Sequence, residues 1–162
     1  MLLRLSSAKR WPARKSRRAE AATRGLMRIF LDANILFSAA KTDGAVRALI
    51  AALLASGHEC CVDGFVVEEA RRNLTAKAGS DAQAALAPLL ERMWLGKAHA
   101  HTRLPEAALV LPEKDRPVLA AAIAHECDCL VTGDRTHFGV LYGETIAGVK
   151  IHSPASLAQA LL

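Results

Sequence analysis

Apolar residues along this chain alternate between two spacings. Short runs of β-branched and aliphatic residues bounded by turn residues occur at 28–32, 58–62, 129–132 and 149–152. Runs of that length and composition predict buried strands of a parallel sheet. Between them the spacing is helical. Val46, Leu49, Ile50, Leu53 and Leu54 share one face of a segment from Gly44 to Ser56, closed by Gly57. Asp63-Gly64 is a turn whose aspartate can cap a helix through Glu68, Glu69 and Leu74. Ser80-Asp81 restarts a helix to about Leu95, closed by Gly96, with Pro88 inside it as a kink or break. Residues 98–102 carry a weak strand signal. A helix over 118–125 has Pro117 in its first turn and Asp115 at or near its N-cap, and Ser153-Pro154 begins a C-terminal helix. This alternation predicts an α/β fold, a three-layer α/β/α sandwich with a mainly parallel sheet, and no second domain.

Charge changes the picture at one end only. The net charge is +5, but residues 1–26 hold eight basic side chains against one acid, a net of +7. Residues 27–162 hold 13 basic and 15 acidic residues, a net of −2, so the alkaline balance belongs to the first segment. That segment lacks the continuous apolar stretch of a secretory signal. Its Arg-rich, acid-poor composition matches a mitochondrial transit peptide. It also fits the reading preferred here: Met27 directly precedes the first strand, and 1–26 is an over-extended start or a disordered arm. No apolar run approaches the roughly 18 residues of a membrane span, which points to a cytoplasmic protein. The four cysteines fall as Cys60-Cys61 and Cys127-Asp128-Cys129, without zinc-ribbon spacing. A metal site from His58, Cys60, His125 and Cys127 can be drawn, but reduced thiols buried in strands are the better reading.

The chemistry concentrates in four acids. Asp32 ends the first strand, Glu69 lies early in a helix, Asp115 begins another, and Asp134 follows Leu130-Val-Thr-Gly. In open α/β sheets the carboxyl ends of strands and the starts of the next helices share one edge, where ligands bind. Carboxylates converging there need protons, partners or a cation. Each alone has a local use, as strand end, cap or turn. Asp128 sits at the opposite end of its strand and reads as structural. Arg71, Arg72 and Arg135 are near enough in sequence to serve as phosphate contacts, or form a solvated basic face.

Four segments, Ile29-Phe-Leu-Asp-Ala-Asn34, Val67-Glu-Glu-Ala-Arg-Arg-Asn-Leu74, Asp115-Arg-Pro-Val-Leu-Ala-Ala-Ala-Ile123 and Leu130-Val-Thr-Gly-Asp-Arg-Thr-His-Phe138, resemble in order the motifs of the PIN-domain ribonucleases, which include VapC-like toxins of type II toxin–antitoxin systems. The resemblance covers about residues 27–160. It implies a metal-dependent endoribonuclease using Mg²⁺ or Mn²⁺ on RNA. Asp32, Glu69, Asp115 and Asp134 would be both the metal ligands and the catalytic quartet, with Glu68 the alternative to Glu69; the spacing to Leu74 favours Glu69. Asn34 and Thr132 would support the site, and His137 would lie where substrate is touched. It further implies a cognate antitoxin as partner. A homodimer is open, since the Ala-rich helices around 44–56 and 82–95 could pair subunits or pack on the sheet. The alternative is an inactive or regulatory PIN-like module that binds RNA or a partner. A phospho-acceptor domain expects paired acids at the first strand, where Asp32 stands alone, and a dehydrogenase expects a G-x-G-x-x-G that is absent. A chain beginning at Met27 is expected to fold; a large fall in melting temperature on that truncation would show that the basic segment packs on the domain.

Overall fold

The computed structural model describes residues 16–98 and 103–162. In chain order the elements are α1 (Ser16–Thr23), β1 (Arg28–Leu31), α2 (Ala33–Lys41), α3 (Ala45–Ala55), β2 (Glu59–Asp63), α4 (Gly64–Lys77), α5 (Ser80–Glu91), β3 (Trp94–Gly96), α6 (Arg116–Ala124), β4 (Cys129–Val131), α7 (Arg135–Phe138), β5 (Thr145–Ile146), β6 (Val149–His152) and α8 (Pro154–Leu161). One six-stranded sheet runs β3-β2-β1-β4-β6-β5, parallel throughout except for the antiparallel β5–β6 pair. Helices flank it as the α/β/α alternation predicts.

β1 lies between β2 and β4, with Ile29 opposite Cys60 on one side and Cys129 on the other. Ile29, Phe30 and Leu31 are fully buried, as a strand covered on both faces must be. Because β1 and β4 are parallel and in register from Ile29 and Cys129 to Leu31 and Val131, the next residues, Asp32 and Thr132, emerge side by side. At the other end of the same strands the Asp128 carboxylate accepts a 2.8 Å hydrogen bond from the Arg28 N–H, the structural role expected of it. The apolar faces of α3 (Leu49, Ile50, Leu53) and α5 (Ala82, Leu86, Leu89, Leu90) are buried within this single chain.

Several local signals operate as expected. Asp63 caps α4, its carboxylate accepting from the Val66 N–H at 3.0 Å. Ser153 and Ser156 form a reciprocal capping box at the start of α8, with Pro154 in the first turn. Other boundaries are corrected. α5 ends at Glu91 rather than near Leu95, and Trp94–Gly96 form β3, drawn into the sheet by the open edge of β2 at Cys61, Val62 and Asp63. Pro88 does not break α5, which continues to Glu91; it sits exposed in the last turn. Residues 99–102 of the strand expected at 98–102 lie outside the described residues. In the segment expected to be an extension, residues 16–23 are α1, Ala21 is buried, and 1–15 lie outside the described residues.

β3 is held by ring contacts. The Trp94 ring meets His125 edge-on at 4.9 Å between centroids, and the Arg28 guanidinium lies 4.8 Å over it. A Cβ on Gly96 would fall 2.5 Å from the Trp94 ring and 2.7 Å from His125. Gly96→Ala is therefore expected to destabilise the fold by about 1–3 kcal/mol through overpacking, measurable by urea unfolding. An unchanged midpoint would show that the two rings are free to move.

Candidate metal centre

The acids come together through a chain of hydrogen bonds that begins at Asp32. This residue ends β1 and caps α2, its Oδ1 accepting from the Ala33 N–H at 2.7 Å. Its Oδ2 accepts from the Thr132 hydroxyl at 2.7 Å and from the Asn34 amide at 3.0 Å. Asn34 also fixes the β4 side, its Oδ1 accepting from the Gly133 N–H at 2.8 Å. The Thr132 hydroxyl accepts in turn from the Asp134 N–H at 3.1 Å. Asn34 and Thr132 thus clamp the two strand ends together. Tyr142 adds a brace that no sequence signal marked: its hydroxyl donates to the Thr132 carbonyl at 2.7 Å.

From Thr132 the chain passes Gly133 and turns at Asp134, which caps the short helix α7 by accepting from the His137 N–H at 3.2 Å. One helical turn brings the His137 ring back over the same carboxylate. Its Nδ1 lies 2.8 Å from Asp134 Oδ2 and 3.1 Å from Asp115 Oδ2. Asp115 occupies the N-cap position of α6 but makes no side-chain capping bond. Its Oδ2 is buried, and the approach of His137 lacks hydrogen-bond geometry, so this oxygen has no hydrogen-bond partner. A buried carboxylate oxygen without a donor is costly. Asp115, Asp134 and His137 offer ligand atoms all within 4.8 Å of one another, and they are the one such group of His, Cys, Asp and Glu among the described residues.

Asp32 and Glu69 stand outside that group. Asp32 is 6% exposed, and burial raises its carboxyl from 3.8 to about 6. The Thr132, Ala33 and Asn34 donors pull it back, while the charge of Glu69 pushes it further up. That repulsion places Glu69 within electrostatic reach of Asp32. Glu69 is half-buried and Glu68 is exposed. Burial, together with the charges of Asp134 and Asp32, also raises the Tyr142 phenol, with Arg135 acting in the opposite sense.

These elements stand in the order and places that a known family uses. The profile of one protein family, the PIN domain, matches residues 28–136. The chain belongs to the PIN-domain family. Among solved structures this PIN domain is similar to a chain of VapBC2 from Rickettsia felis, crystallised bound to a DNA fragment from their promoter. The TM-score is 0.59 at 20% identity, over 78% of this chain and 98% of that one. That likeness is one of fold. No curated protein sequence matches the chain.

Other residues considered from the sequence lie outside the three-residue group of Asp115, Asp134 and His137. Arg71, Arg72 and Arg135 are exposed. Arg71 lines a groove of about 330 Å³ with Leu74, Thr75, Gln83, Leu86 and Ala87, which none of the four acids lines. The alternative site at His58, Cys60, His125 and Cys127 is not assembled. His58 Nδ1 accepts from the Met27 N–H at 3.1 Å, His125 packs on Trp94, and all four cysteines are free and buried. Among the described residues no helix is long and apolar enough to cross a membrane.

Asp32 supplies a pH prediction for this PIN domain. Its folded value lies above its unfolded one, so the stability it contributes is present below about pH 4 and is lost as pH rises through about 6. In metal-free protein its carboxyl carbon is expected to titrate near 6 by NMR. Thr132→Val removes a donor to the charged form and should move that midpoint higher, while costing about 1–3 kcal/mol of stability. An unmoved midpoint would show that the hydroxyl does not hold the carboxylate.

Proposed function

We propose that this PIN domain is a metal-dependent endoribonuclease that hydrolyses RNA phosphodiester bonds with Mg²⁺ or Mn²⁺. The observation that carries this reading is the Asp115 carboxylate oxygen, buried without a hydrogen bond and facing Asp134 across the His137 nitrogen. Such an oxygen is what a cation would satisfy, and carboxylate donors suit Mg²⁺ and Mn²⁺. Asp115 and Asp134 would hold the ion, with Asp32 and Glu69 adding negative charge from the neighbouring strand and helix. A bound divalent cation would supply Lewis acidity, lowering the pKa of a water and polarising the phosphoryl group.

The remaining work falls to the chain. Thr132 and Asn34 keep the Asp32 carboxylate aimed and pull its proton affinity down, so at neutral pH it is mainly ionised. The Thr132–Asp134 bond and the α7 cap fix the direction of Asp134. An acidic edge repels a polyanion, so RNA approaches only when that charge is neutralised. The exposed Arg135, next in sequence to Asp134, would be a phosphate contact in this reading.

The proposal extends to biology as the toxin of a toxin–antitoxin pair, acting in the cytoplasm. A cognate antitoxin would restrain it by covering the acidic edge. The fold likeness to VapBC2 supports that direction.

The test is cleavage of a structured, labelled RNA with Mn²⁺, Mg²⁺ or EDTA. Asp115→Asn and Asp134→Asn should each lower the metal-dependent rate by about 10²-fold or more. Asp32→Asn should also abolish cleavage. It sets an amide donor against the Asn34 amide, so its folding is checked alongside. Equal rates in EDTA and Mn²⁺, or unchanged rates in the Asp115 variant, would defeat the proposal. Mn²⁺ binding without cleavage of any RNA would favour a regulatory binding module.

A further inference from the structure

His137 holds a position that its expected role as a substrate contact does not explain. Its Nδ1 points at carboxylate oxygens rather than at open space, 2.8 Å from Asp134 Oδ2 and 3.1 Å from Asp115 Oδ2. The placement is set by the backbone. Asp134 caps the His137 N–H, and Phe138, the next residue, is fully buried, which fixes the backbone from which the ring reaches the two carboxylates. Among the described residues its Nε2 makes no hydrogen bond, and the side chain is 29% exposed. As a hydrogen-bond donor Nδ1 satisfies only Asp134, and leaves Asp115 Oδ2 orphaned.

A cation accounts for all three atoms together. A six-coordinate ion with bonds of roughly 2.0–2.1 Å places adjacent donors about 3 Å apart. The two Nδ1–oxygen separations match that spacing. With Nε2 protonated toward solvent, Nδ1 keeps its lone pair for the ion. We propose that His137 Nδ1 is itself a metal ligand, giving a mixed centre of two carboxylates and one imidazole that prefers Mn²⁺ to Mg²⁺. Imidazole suits the first-row transition ions, whereas Mg²⁺ takes oxygen donors and gives up its waters reluctantly. The inference rests on the metal-dependent reading above and adds the identity of one donor and of the ion it favours.

The test reads the metal directly. Full-length protein stripped of metal is loaded with Mn²⁺, and pulsed EPR is used to detect nitrogen bound to the ion. Wild-type protein is expected to show a ¹⁴N coupling that changes to the ¹⁵N pattern when histidine is isotope-labelled. The coupling should vanish in His137→Gln, which keeps a donor for Asp134 but brings an amide instead of an imidazole. His137→Ala, which retains the backbone cap, is the second variant. In both, the preference for Mn²⁺ over Mg²⁺, measured by competition, should fall about tenfold or more. Bound Mn²⁺ with no nitrogen coupling, or an unchanged ion preference in a folded variant, would overturn the role of His137 alone. Failure of wild-type protein to bind Mn²⁺ would overturn the metal-dependent reading with it.

Discussion

A carboxylate at the end of the central strand, buried to 6% exposure, is the constraint around which the acidic edge is built. Placing Asp32 there drives its proton affinity upward, and the fold answers with three donors from three directions. Ala33 and Asn34 donate from the start of α2, while the Thr132 donor is available because β1 and β4 are parallel neighbours in register, which sets it beside Asp32. The same hydroxyl then accepts from the Asp134 N–H, so the bond that tames one acid positions the next. Sheet pairing, turn geometry and the orientation of two carboxylates are one linked arrangement.

The acids divide into two kinds. Asp32 is satisfied by hydrogen bonds, and its charge is costly because of burial. Asp115 lacks a donor for its buried oxygen, although His137 stands 3.1 Å away. Asp134 links them, hydrogen-bonded through its N–H to the first group and through its carboxylate to His137. Asp115 fills the N-cap position of α6 in helical backbone, at the end of a 3₁₀ turn over Glu113–Asp115, and so makes no side-chain capping bond.

Much of this was readable from the chain. The strands ending at Asp32 and Thr132 and the helix start at Asp115 follow from local apolar spacing and cap chemistry. What the sequence concealed depends on tertiary partners. Trp94-Leu95-Gly96 reads as a helix end because its strand character comes from the β2 edge and from packing of Trp94 on His125. α2, starting directly after Asp32, passes unnoticed because small residues such as Ala39 and Ala40 provide much of its buried face. Tyr142 braces Thr132 from ten residues away, a contact with no local signature. His137 was visible as a polar residue after the fourth acid, but its approach to Asp115 depends on α6 and α7 meeting at one edge.

The central claim is that a divalent cation belongs between Asp115 and Asp134. Crystals of the protein soaked in Mn²⁺, with data collected for anomalous scattering, test it most directly. The account predicts a strong anomalous peak in contact with Asp115 Oδ2 and Asp134 Oδ2. An ordered site with no peak there at saturating Mn²⁺, or a peak only at surface acids remote from this edge, would contradict it.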